Sequence, residues 1–101
     1  FVFTPKGDVL DLPEGSSPID FAYTIHSELG DHISSAKVNG KMVQILSVLK
    51  NGDIVEIVEK KDAHPSSKWL DHTKSSIAKK HIKSYLEKNS LLAKLKSYGK
   101  W

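Results

Sequence analysis

Residues 17–30 read Ser17-Pro18-Ile19-Asp20-Phe21-Ala22-Tyr23-Thr24-Ile25-His26-Ser27-Glu28-Leu29-Gly30. Ser17 is a favourable N-cap, and Pro18 suits the first helical position because its missing N–H would find no intrahelical partner there. Asp20, three residues after the cap, places a carboxylate near the positive end of the helix dipole. Phe21, Ala22, Ile25 and Leu29 recur at helical spacing and predict one apolar stripe, which leaves Tyr23, His26 and Ser27 facing water or a partner. Gly30 predicts the stop, since a left-handed C′ position costs glycine nothing sterically. The stretch reads as a single helix, and the flanking sequence reads as the sheet that holds it.

Upstream, Phe1 to Thr4 and Asp8 to Leu12 are β-prone runs around Pro5-Lys6-Gly7, a hairpin. Pro13 to Ser16 delivers the chain to the helix cap. Downstream, Ile33 to Val38 reads as a strand, Asn39-Gly40 as a type I′ turn whose central residues both take positive φ, and Lys41 to Val43 as the returning strand. Gln44 to Lys50 crosses over, Asn51-Gly52 turns, and Asp53 to Val58 is the most β-branched run, as expected of a strand covered on both sides for part of its length. One helix is the cover that residues 1–59 offer this sheet. The predicted fold class is therefore α+β: a β-grasp (ubiquitin-like) mixed sheet with one packed helix, its last strand beside its first, followed by a basic α-helical extension.

Composition changes at about residue 60. Residues 1–59 carry four lysines against nine carboxylates, a net of −5, whereas residues 60–101 carry eleven lysines against three, a net of +8. The reading divides the chain into 1–60, the β-grasp unit, and 61–101, a linker with a helical extension. In the second part Lys68-Trp69-Leu70 predicts one helical turn anchored by the tryptophan. Ile77, Ala78, His81, Ile82, Tyr85 and Leu86 form a helical stripe from Ser75 or Ser76, and Leu91, Leu92, Leu95 and Tyr98 restart it as a further short helix after Asn89-Ser90. The first residue is Phe1, already inside a strand, which predicts a segment of a longer protein. The absence of cysteine fits a reducing compartment, and no run approaches the ~20 apolar residues of a membrane span. Every basic residue other than histidine is lysine, which leaves out bidentate arginine recognition of phosphate or guanine.

Val2-Phe3-Thr4-Pro5-Lys6-Gly7-Asp8, Pro18-Ile19-Asp20-Phe21-Ala22-Tyr23, Ile25-His26-Ser27, Ala36 to Lys41 and Lys50 to Ile57 together resemble the TGS domain of long RelA/SpoT-type proteins. Ser66 to Tyr85 resembles the helical region that follows it. The sequence differs from that pattern at His32 and Ser35, and its later helix opens Ser75-Ser76-Ile77-Ala78-Lys79-Lys80 rather than on arginines. The resemblance implies a non-catalytic sensing domain of a (p)ppGpp synthetase/hydrolase, that is, a GTP pyrophosphokinase of the stringent response acting in the cytoplasm. It implies as partners the 3′ CCA end of an uncharged tRNA on the ribosome, with the histidine matching His26 at that end. The alternative is a protein-interaction module docking acyl carrier protein or other domains of the parent chain.

His26 has a physical logic for such a role, because an imidazole at a helix edge can stack on an unpaired base or hydrogen-bond a terminal ribose; its plainer role is to cap the helix end. Tyr23 is placed beside it as a stacking partner, although an aromatic bordering an apolar stripe is more often core. Ser27 lies on the same side, and Lys6 and Lys41, with Lys37, fall on turns or strand ends where they could meet phosphates. These residues, His26, Tyr23, Ser27, Lys6 and Lys41, are the candidate RNA-binding set. The lysine excess after residue 60 is the broader electrostatic footprint. His64, His72 and His81 do not have metal-ligand spacing, so neither a metal nor any other cofactor is expected. No phosphate loop, nucleophile elbow or paired-carboxylate motif points to catalysis.

Overall fold

In a computed structural model, which describes the backbone of residues 1–97 and the side chains of residues 1–88, the strands and helices follow in chain order. They are β1 (Val2–Phe3), β2 (Val9–Leu10), α1 (Pro18–Ile25), α2 (Ser27–Asp31), β3 (Ile33–Val38), β4 (Lys41–Val43), β5 (Val55–Glu59), a 3₁₀ segment (Ser67–His72) and α3 (Ser76–Ser97). β1 pairs antiparallel with β2, Val2 opposite Leu10, and β3 pairs antiparallel with both β4 and β5. A parallel bridge between Phe3 and Ile54 joins the two sets, reinforced where Phe3 N–H donates to Asp53 O at 2.8 Å and Gly52 N–H to Phe1 O at 2.7 Å. The strand order is thus β2-β1-β5-β3-β4 with first and last strands parallel at the centre, the β-grasp arrangement.

Local chemistry sets most of the sheet's bounds. Asn39 at φ 53° and Gly40 at φ 85° form the type I′ turn between β3 and β4, and the Asn39 side chain braces it by accepting from Ile54 N–H at 2.9 Å and donating to Asp53 at 3.0 Å. β5 is covered on both sides only for part of its length: Val55 is fully buried and the successive residues Ile57 and Val58 are both half-buried, whereas Ile54 and Glu56 are exposed.

Residues 17–30 do not form one helix. α1 ends at Ile25, His26 takes an extended conformation (φ −163°, ψ 141°), and α2 restarts at Ser27. Thr24-Ile25-His26-Ser27 is a run of weak helix formers, two of them β-branched, and the Thr24 hydroxyl also bonds back to Asp20 O at 2.8 Å. Gly30 is not the left-handed stop either: it lies inside α2, where a Cβ would fall onto the ring of Tyr23. The buried stripe shifts accordingly. Ile19, Phe21, Ala22 and Tyr23 are buried, while Ile25 is 45% exposed.

α1 is buried on two sides. Phe21 joins Val2, Leu49 and Val55 against the sheet. Ile19, Ala22 and Tyr23 join Ile33 with Trp69, Ala78 and Ile82 from beyond residue 60, so the core continues into the helical extension. Trp69 does anchor a helical turn. α3 runs as one helix through Asn89-Ser90, where the sequence predicts an interruption. The expectations for the side chains of Leu91, Leu92 and Leu95 and for Tyr98 fall outside the described residues.

Candidate functional site

His26 occupies the break between α1 and α2 and closes both. Its backbone N–H donates to Ala22 O at 3.0 Å, and its Nδ1 accepts from Glu28 N–H at 3.1 Å. An accepting Nδ1 in a neutral imidazole places the proton on Nε2. That nitrogen has no protein partner among the described residues, and the ring belongs to an exposed residue. The capping role and an outward-facing role therefore coexist on one side chain, each using a different nitrogen.

The neighbours of His26 add to the surface. Ser27, the next residue, is half-buried, and Ile25, the residue before, is an exposed aliphatic side chain. Periodicity assigns Ile25 to the core, but it is the last residue of α1 before the break and lies on the surface. An exposed imidazole N–H donor suits a hydroxyl or carbonyl acceptor on or beside a flat heteroaromatic ring.

Tyr23 is not part of this surface. It is 3% exposed, its hydroxyl donates to Asp31 Oδ1 at 2.7 Å, and its ring stacks on His81 with centroids 5.6 Å apart and planes 4° from parallel. Burial, and then the Asp31 carboxylate that accepts its proton, hold the phenol far above its usual range. Its core position follows from α3, which covers the side of α1 that the sequence pattern leaves open. A ring so enclosed is not available to stack on a base.

Lys6 is exposed on the β1–β2 turn and Lys41 is exposed at the start of the edge strand β4. Neither shares a hydrogen bond, ion pair or element with His26, so the structure gives them no common site with it. Lys37 pairs with Glu56 at 3.9 Å across β3 and β5, both side chains about half exposed. His64 lies beside other rings, with Tyr85 at 5.9 Å and His32 at 6.2 Å between centroids, and His32 Nδ1 donates to Ala63 O at 3.1 Å. Among the described residues no group of three or more ligating side chains is arranged to hold a metal ion, and no helix is long and apolar enough to cross a membrane.

The residue that sequence reading undervalued is Asp20. Fully buried, its carboxylate accepts from Ser17 N–H at 2.9 Å and Ser17 Oγ at 3.3 Å, and then from the backbone N–H groups of Lys74 at 3.1 Å and Ser75 at 2.9 Å. Beyond capping α1, it ties the start of α3 to that helix from 54 residues away.

The chain matches the family model for the TGS domain over residues 1–59. It is 50% identical over 88 residues to a guanosine-3′,5′-bis(diphosphate) 3′-pyrophosphohydrolase of Aquifex aeolicus, covering 87% of this chain and 13% of that protein. It is 49% identical over 87 residues to a GTP pyrophosphokinase of Myxococcus xanthus, covering 86% of this chain and 12% of the relative. With the bifunctional (p)ppGpp synthase/hydrolase RelA of Mycobacterium tuberculosis it shares 46% over 90 residues, 87% of this chain and 11% of that one. The chain thus spans about an eighth of the length of these relatives, and the similarity runs well past residue 59 into the helical extension.

Proposed function

Because the chain belongs to the TGS domain family, in its RelA/SpoT branch, we propose that it is a non-catalytic regulatory domain of a (p)ppGpp synthetase/hydrolase of the stringent response, and that His26 contacts the 3′ CCA end of an uncharged tRNA on the ribosome. The pyrophosphokinase and hydrolase activities named in the relatives belong to the rest of the parent protein in this reading. The observation that carries it is the exposed imidazole at the α1–α2 break, its Nδ1 engaged by Glu28 N–H and its Nε2–H left to a ligand. A free CCA end is single-stranded, so its last base can pack on Ile25 and the imidazole while a ribose hydroxyl or base acceptor takes the Nε2–H. Binding there would bias the parent between its two activities by favouring one domain arrangement.

The test separates the two uses of the histidine. His26→Ala removes both the ligand contact and the cap of α2, whereas His26→Asn restores a good capping side chain without the imidazole. In a titration of a fluorescent CCA-ended RNA, both variants are expected to bind about fivefold more weakly, the loss of roughly one hydrogen bond. Affinity equal to wild type in His26→Asn removes His26 from the site. The reading as a docking module for acyl carrier protein predicts the opposite dependence, with His26→Asn silent and loss of the exposed lysines of α3 decisive.

A further inference from the structure

Among the described residues the His26 ring is held by one hydrogen bond, from the N–H of Glu28, so the imidazole is only as well placed as α2. A helix of five residues does not hold itself in place. Leu29 gives it one half-buried apolar contact with the core. At its C-terminal end the cap residue His32 is tied to the linker, accepting from Lys60 N–H at 3.0 Å and donating from Nδ1 to Ala63 O at 3.1 Å. Within the helix two attachments run through one side chain: Tyr23 lays its ring against Gly30 and donates its hydroxyl to Asp31. The same ring stacks on His81 of α3.

We propose that Tyr23 is a positioning residue for the His26 site, holding α2 and with it the imidazole, and that its stack on His81 makes α3 part of the recognition unit. The inference rests on the reading of His26 as a contact to single-stranded RNA. It assigns the conformational work to a buried residue that never meets the nucleotide. Recognition would then report the docking of the helical extension: displacing α3 uncovers one face of Tyr23, loosens α2 and turns the Nε2–H away.

Side-chain nitrogen NMR of His26 in the 101-residue chain reads the imidazole directly. Wild type is expected to show the proton on Nε2 with Nδ1 as acceptor. Tyr23→Phe keeps the ring and removes only the hydroxyl, and His81→Ala removes the stack from the α3 side. Each is expected to shift the Glu28 amide and to mix the His26 tautomers; unchanged His26 and Glu28 signals in both variants overturn the proposal. With a CCA-ended oligonucleotide as probe, Tyr23→Phe is expected to weaken binding about fivefold alone and not at all in a His26→Asn background, because contacts that act through one another do not add. Equal losses in both backgrounds also overturn it. A His26→Asn chain that binds the oligonucleotide as wild type does refutes the RNA reading instead, and the NMR result then still decides whether Tyr23 positions the ring.

Discussion

At Gly30 the identity of one residue carries two competing explanations that mutation separates. A C′ glycine in the left-handed region would tolerate asparagine, and alanine would be strained by roughly 1 kcal/mol. The structure instead leaves no room above the backbone, because a Cβ meets the Tyr23 ring, which is itself enclosed. Gly30→Ala is therefore expected to destabilise by about 1–3 kcal/mol through overpacking, and the larger Gly30→Asn by more, read as shifts in the urea midpoint. Tyr23 makes a second prediction. Its phenol is held neutral in the folded chain above the ordinary value of about 10. The unfolded chain gives up that proton first, so stability is complete below about pH 10 and falls as pH rises beyond it. Tyr23→Phe is expected to lose stability at neutral pH, since the Asp31 bond goes, but to show a flatter decline in a pH series of unfolding curves. Neither role is legible in the sequence, where Tyr23 borders a stripe and Gly30 follows one. Both depend on α3, which begins at Ser76, far downstream of either residue.

Elements with local causes could be read directly, and those with distant causes could not. The bounds of β3 and β4 match the sequence reading because Asn39-Gly40 dictates the turn between them, and the start of α1 matches because Ser17, Pro18 and Asp20 act within one turn. The end of α1 does not match, since periodicity carries on past a break that weak helix formers and the pull of Gly30 toward Tyr23 impose. Asp20 shows how a local signal can conceal a long-range one. Its carboxylate is buried with no cationic side chain paired to it among the described residues, and is compensated by donors from both Ser17 and the start of α3. Asp20→Asn keeps the volume but turns an amide NH₂ toward some of those N–H groups, and is expected to cost about 2–3 kcal/mol in chemical denaturation. Truncation after residue 60 is expected to be worse than its neutral-looking linker suggests. It uncovers Ile19, Ala22, Tyr23 and Ile33 together and leaves Asp20 short of two donors, so the shortened chain should bind a hydrophobic dye and unfold with a broadened transition. For that reason, deletion of the basic part cannot report on its charge alone.

Across the whole molecule, an acidic sheet and a basic helical part of opposite sign are packed on a common core, and the described lysines of that basic part remain on the outside. Lys74, Lys79, Lys80, Lys83 and Lys88 are exposed, and the ion pair among the described residues is Lys37 with Glu56, elsewhere on the sheet. Charge of this kind attracts a polyanion without selecting its sequence, whereas a lone imidazole selects geometry and adds little long-range attraction. The two contributions should separate with salt. Replacing Lys79, Lys80 and Lys83 together with glutamine leaves the buried face of α3, Ala78 and Ile82, untouched, so thermal unfolding is expected to change little. The slope of log affinity against log salt for a CCA-ended RNA should become shallower by about 0.7 for each phosphate that these lysines neutralise in wild type. His26→Asn should lower affinity at every salt concentration while keeping the wild-type slope. Coincident slopes for the lysine variant and wild type would exclude α3 from the RNA path and leave its charge free for an acidic protein partner. In that case the lysine variant, and not the histidine variant, should lose binding to acyl carrier protein.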